Sequence, residues 1–92
     1  MSDQDIIRKR IQVYGSVQGV GFRYRTRYAA ELQGVTGWVE NLDDGSVLME
    51  LQGTEEQIDK VFETVVQSGW INVTDMKVQK IDVEESRGFH TR

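Results

Sequence analysis

Around residues 15–21 the apolar positions stop recurring at every second residue and begin to recur at every third or fourth, and the stretch at the changeover reads Gly15-Ser16-Val17-Gln18-Gly19-Val20-Gly21-Phe22-Arg23. Residues 7–14 alternate, with Ile11 and Val13 facing a core and Arg8, Arg10 and Gln12 facing solvent, so they predict a first strand. Residues 22–33 predict a helix whose narrow apolar face is Phe22, Thr26, Ala29 and Ala30, with Arg25 and Arg27 solvated and Gly34 as its stop. A strand that passes through glycines straight into a helix aims free backbone N–H groups outward. The helix N-terminus adds a partial positive charge, and together they make an anion site. Arg23 falls in the first turn, where a cation is unfavourable against the helix dipole unless a bound anion offsets it. A plain strand-to-helix connection would use the same residues, and the spacing is neither a dinucleotide fingerprint nor a P-loop.

The rest of the chain supplies the frame. Residues 35–42 predict a second strand and 46–52 a third, with Val47, Met49 and Leu51 inward, joined at Asp43-Asp44-Gly45, a hairpin signal. Thr54-Glu55-Glu56-Gln57 is a capping box, and Ile58, Val61, Phe62, Val65 and Val66 then recur at helical spacing up to Ser68-Gly69. Residues 73–83 predict a fourth strand with Met76, Val78, Ile81 and Val83 as its apolar positions. A change of phase between Val78 and Ile81 suggests a bulge there. Residues 84–88 read as a solvated polar loop and 89–92 as a short edge strand. The order β-α-β-β-α-β predicts an α+β fold, a ferredoxin-like α/β sandwich with an antiparallel sheet and two helices on one face.

Composition narrows the function classes. Ninety-two residues are expected to form a single domain, 1–92. There are no cysteines, which excludes disulfides, thiol catalysis and cysteine-ligated metals. The absence of disulfides and of any long apolar run fits a cytoplasmic protein without a membrane partner. The net charge of −4 disfavours a nucleic-acid partner. An RNA-binding sheet would also want aromatics on its central strands, and 46–52 has none. Trp38 and Trp70 are expected to be packing anchors, and His90, the only histidine, a surface residue.

Asn41 ends the second strand, and in this topology it can approach the start of the first helix. Beside a phosphate, its amide can hold and orient a water; equally, it can cap a turn. Taken together, Tyr14 through Arg23, then Gly37-Trp38-Val39-Glu40-Asn41-Leu42-Asp43-Asp44-Gly45-Ser46-Val47, then Gln52-Gly53, closely resemble the acylphosphatase family. The resemblance implies hydrolysis of a carboxyl-phosphate anhydride to a carboxylate and inorganic phosphate. It implies that the backbone N–H groups of Ser16, Val17, Gln18, Gly19 and Val20 cradle the phosphate. Arg23 would hold the same phosphate by charge, and Asn41 would orient the attacking water. No metal and no organic cofactor is expected, and a monomer suffices. The alternative is a non-catalytic phosphate- or partner-binding module on the same fold. The chain departs from the family pattern at Leu32-Gln33, where the family places a Leu directly before the glycine, at Gly69-Trp70 in place of Gly-Pro, and at Phe89-His90-Thr91. These departures bear on stability and lie outside the implied site.

Overall fold

The computed structural model describes residues 5–19, 21–67 and 71–92. The elements are β1 (Ile6–Ser16), α1 (Phe22–Gln33), β2 (Thr36–Asn41), β3 (Val47–Thr54), α2 (Glu55–Val66), β4 (Asn72–Ile81) and β5 (Phe89–Thr91). They build one five-stranded sheet in the order β4-β1-β3-β2-β5. This is the ferredoxin-like α+β arrangement with a fifth strand added. No helix among the described residues is long and apolar enough to cross a membrane.

The core lies between one face of the sheet and the two helices. Period-two alternation places Ile11 opposite Met49 and Met49 opposite Val39, with Val13 opposite Val47 beside them. All five are buried, and they meet Phe22, Ala29 and Ala30 of α1 and Ile58, Val61 and Val65 of α2. Each α2 side chain so removed from water contributes about 1.5–3 kcal/mol. Thr26 is buried in the same face of α1 because its hydroxyl donates to the Phe22 carbonyl at 2.8 Å, which leaves no polar atom unmet. The capping box forms as the sequence predicts. The Gln57 N–H donates to Thr54 Oγ1 at 3.1 Å, and the Thr54 N–H donates to the Gln57 side chain at 3.0 Å. The expected end of α2 at Ser68-Gly69 and the position of Trp70 lie outside the described residues.

Three expectations are corrected. The sheet is mixed, because β5 runs parallel to β2. β4 runs opposite to β2, and the connection after it turns back, so β5 emerges in the direction of β2. Arg8, expected in solvent, is 1% exposed. It does lie on the face away from the helices, but residues 82–88 cross that face on their way from β4 to β5 and bury it. There Arg8 Nε donates to Glu50 Oε1 at 2.9 Å, Nη1 donates to Gln52 Oε1 at 3.1 Å, and Nη2 lies 3.6 Å from Glu84 Oε1. Glu84 is therefore an ion-pair partner that holds the crossing segment, where a merely solvated loop was expected. The bulge sits at Thr74, where Tyr14 pairs with Asp75 and Gly15 with Val73, and not between Val78 and Ile81. Met76 and Val78, apolar positions of β4, are exposed, because an open hollow of about 370 Å³, lined also by Ile58, Phe62 and Val66 of α2, lies beside them at the edge of the sheet.

The hairpin between β2 and β3 pairs Asn41 with Val47. The Gly45 N–H donates to the Leu42 carbonyl at 3.2 Å, and the Leu42 N–H donates to the Ser46 carbonyl at 2.9 Å. Asp44 accepts from both the N–H and the hydroxyl of Ser46. Those bonds, the hydroxyl's first, hold its carboxyl below the usual carboxylate range. β1, β2 and β5 all run the same way, so their last residues come to one end of the sheet, the end at which α1 begins.

Candidate active site

The two helices begin differently. α2 carries a complete capping box and Glu55 and Glu56 in its first turn. α1 has Gly21 at its N-cap in the left-handed region, φ 78°, no side-chain cap and no acidic residue in its first turn. Its leading N–H groups therefore have no side-chain acceptor, and Arg23 stands among them. That arrangement raises the local positive potential instead of quenching it. Gly19 is also left-handed, φ 76°, with nothing within 4 Å of where a Cβ would stand. Together these two glycines turn the chain from β1 into α1 with its backbone open on one side.

A cavity of about 290 Å³ opens at this point. Its walls are Val17, Gly19 and Gly21 of the loop, Phe22, Arg23, Tyr24 and Arg27 of α1, Asn41 from the end of β2, and Thr91 from β5. Arg23 and Asn41, the two side chains singled out by sequence, are thus brought together across 18 residues of chain by the β2 register. Val17 is fully buried and anchors the loop in the core. Ser16 ends β1, paired with Asn72, and does not line the cavity. Gln18 reaches away from it. Its side-chain amide donates to the carbonyls of Leu42 and Ser46 at 2.7 and 2.8 Å, tying the glycine loop to the hairpin that carries Asn41. Val20 lies outside the described residues.

Two polar details define what the cavity can do. The first is Asn41 Oδ1, which is buried and accepts no hydrogen bond from any described residue. An unmet buried acceptor costs about 1–3 kcal/mol, and a turn of the amide that brings it to a donor in the cavity regains that much. The second is Arg23, whose Nη1 donates to the Arg92 carbonyl at 2.6 Å. The contact holds the guanidinium against the residue that follows β5, and its remaining donors bond to no described residue. No carboxylate, imidazole or thiol stands among the lining residues, so the walls offer guanidinium, amide, hydroxyl and backbone N–H groups. That set recognises an oxyanion and can position a neutral nucleophile. Among the described residues, no group of three or more His, Cys, Asp or Glu side chains is placed to hold a metal ion.

Sequence reasoning missed Tyr24, Arg27 and Thr91. Arg27 is four residues beyond Arg23, the spacing that puts two side chains on one helix face, so the signal for it was present. Thr91 had no such signal, because only the placement of β5 beside β2 brings it near. His90 is at the surface, its ring Nε2 2.8 Å from the Arg87 carbonyl. Trp38 is half-buried with the Arg92 guanidinium 4.0 Å from its ring centroid.

Known proteins resemble the chain in sequence and in fold. The acylphosphatase family model matches residues 9–91. An acylphosphatase of Clostridium perfringens is 45% identical over 86 residues, covering 89% of this chain and 96% of that one. The crystal structure of acylphosphatase from Bacillus subtilis superposes with a TM-score of 0.86 at 36% identity, covering 94% of this chain and 98% of that one. The structure of an acylphosphatase from Coxiella burnetii gives a TM-score of 0.87 at 30% identity over the whole of both chains.

Proposed function

The chain belongs to the acylphosphatase family and hydrolyses acyl phosphates, and on that premise we propose that the reaction runs in the cavity at the start of α1. The N–H groups of Val17, Gln18, Gly19 and Val20 cradle the substrate phosphate, and the Arg23 guanidinium holds it by charge, while Ser16 stays paired in β1 outside the cavity. The Asn41 amide holds a water in line with the phosphorus, opposite the carboxylate leaving group. The water oxygen attacks phosphorus, the bond to the carboxylate oxygen breaks, and the carboxylate departs with the bonding pair. The proton given up by the water passes to a phosphate oxygen, since no lining side chain has a basic group suited to take it. An acyl phosphate is already activated by its leaving group, so positioning and fixed charge supply the catalysis.

The observation that carries this reading is the unmet Asn41 Oδ1, buried in a residue that lines the same cavity as Arg23 and an uncapped helix N-terminus. All these groups come from one chain, so the site is complete in a monomer, and the substrate is a small molecule. The test is hydrolysis of benzoyl phosphate, followed by its absorbance change, with and without excess EDTA. Turnover should survive chelation and be inhibited competitively by inorganic phosphate. Loss on chelation with recovery on adding Mg²⁺ would overturn the metal-free mechanism.

A further inference from the structure

The phosphate cavity does not end at Arg23. Tyr24 and Arg27 line it, and the same two residues, with Tyr28 and Glu31, line an adjoining hollow of about 210 Å³ along α1. The two spaces form one groove running from the glycine loop up the outer face of the helix. An acyl group attached to a phosphate held at the loop can extend along this groove, where Tyr24 and Arg27 would face the part of the substrate that varies. This inference rests on the acyl-phosphate reading of the cavity.

Arg27 is the cationic group in that position, with Glu31 beside it. It stands one turn beyond Arg23, about 6 Å along the axis on the same face. Its Nε donates to Glu31 at 3.3 Å, a contact in which both side chains are about half exposed and which holds Arg27 weakly. Its two terminal nitrogens donate to no described residue, so the flat fork that matches a carboxylate is open to the groove. Around it, α1 carries three arginines against one glutamate in a chain whose net charge is −4. Tyr24 and Tyr28, 76% and 61% exposed, give the groove bare aromatic flanks. A groove wall that is cationic and aromatic, set one helical turn from the phosphate, fits an organic chain ending in a second anion.

We infer that Arg27 is a specificity-determining residue, and that the enzyme favours acyl phosphates whose acyl group carries a second negative charge over uncharged ones. The Arg27 fork pairs with that distal anion and exchanges it for Glu31.

The test uses a matched pair, benzoyl phosphate and 4-carboxybenzoyl phosphate, which differ by one carboxylate. The readout is the ratio of their kcat/KM values. R27Q should lower the ratio of carboxylated to plain substrate about fivefold, the scale of one partly exposed ion pair. E31Q, which frees Arg27 from its competitor, should raise it. R25Q removes the same charge from the same helix outside the groove and serves as the control; its ratio should match the wild type. An equal fall in R25Q and R27Q would reduce the effect to the general field of α1 and overturn the assignment. So would a ratio unmoved in R27Q. If the wild-type enzyme hydrolyses neither substrate, the acyl-phosphate reading fails with it. If it hydrolyses both and only the ratio ignores Arg27, that reading stands and this inference alone falls.

Discussion

Removing the Asn41 amide and removing the Arg23 guanidinium should damage the enzyme in different ways. Arg23 brings a fixed charge to a phosphate that is anionic both before and during the reaction. Arg23→Ala should therefore raise KM, weaken phosphate inhibition and lower turnover together. Asn41 has no charge, and in the proposed mechanism its amide acts on the water. Asn41→Ala should leave the phosphate inhibition constant nearly unchanged while kcat falls on the order of 10²–10³, about 3–4 kcal/mol of transition-state stabilisation. Near wild-type turnover in a folded Asn41→Ala would reduce Asn41 to a hairpin residue. The Arg92 carbonyl accepts from Arg23 at 2.6 Å, so in the proposed site the guanidinium would meet substrate already oriented. Gln18 has a comparable effect on the loop, since its two bonds to Leu42 and Ser46 keep cradle and hairpin in register.

At the scale of the element, the contrast between a capped α2 and a bare α1 separates stability from function within one fold. Gly19 tests it. A methyl group there meets nothing within 4 Å, so Gly19→Ala is strained only by its left-handed φ of 76°, about 1–2 kcal/mol. The variant should fold, with a slightly lower denaturant midpoint, and bind inorganic phosphate more weakly as the loop relaxes. Unchanged phosphate inhibition in the folded variant would count against the cradle. Most of this architecture was legible beforehand, because the patterns that report it are local. The buried face of α1, the capping box and the inward set of β3 all follow from spacing alone. What spacing cannot report is which surface is later covered. Arg8 was read correctly onto the outer face of β1, but nothing in residues 7–14 reveals that Glu84 will lie over it. The bulge at Thr74 is set by pairing with β1, which the sequence of β4 does not contain. The same holds for Met76 and Val78, apolar yet exposed at a sheet edge. At the site, Arg23 and Asn41 were legible because their motifs are distinctive, whereas Thr91 depends on a strand only three residues long.

At the scale of the molecule, the outer face of the sheet is held by a buried charge cluster. Glu50, 4% exposed, accepts from Arg8 Nε at 2.9 Å and from Arg10 Nε and Nη2 at 2.9 and 2.7 Å. Burial pushes its carboxyl up, but the hydrogen bonds from Arg10 and Arg8 outweigh burial and leave it below the usual value of 4.5. A carboxyl depressed on folding stabilises the fold above its unfolded value, and that contribution is lost as pH falls through the folded one. Glu50→Gln should lower stability at pH 7 by about 2–4 kcal/mol, since it removes the nearest charge partner of buried Arg8 and leaves it Gln52 and the more distant Glu84. The gap between variant and wild type, read from urea midpoints, should narrow as pH drops below about 4.5. A constant gap down to pH 3 would remove Glu50 from the acid response. Arg8 also grips the segment that crosses this face. Seven residues, 82–88, must span from one edge of the sheet to the other, past β1, β3 and β2. Four strand spacings come to about 19 Å, and eight extended links reach only about 26–29 Å, so the crossing has little slack. It can close only over a sheet that already exists. Arg23 and Arg92, 69 positions apart, meet only after it does, and contacts so distant in sequence form slowly. During refolding, activity is therefore expected to return no earlier than the burial of the core, which activity recovery and intrinsic fluorescence followed on one sample would check.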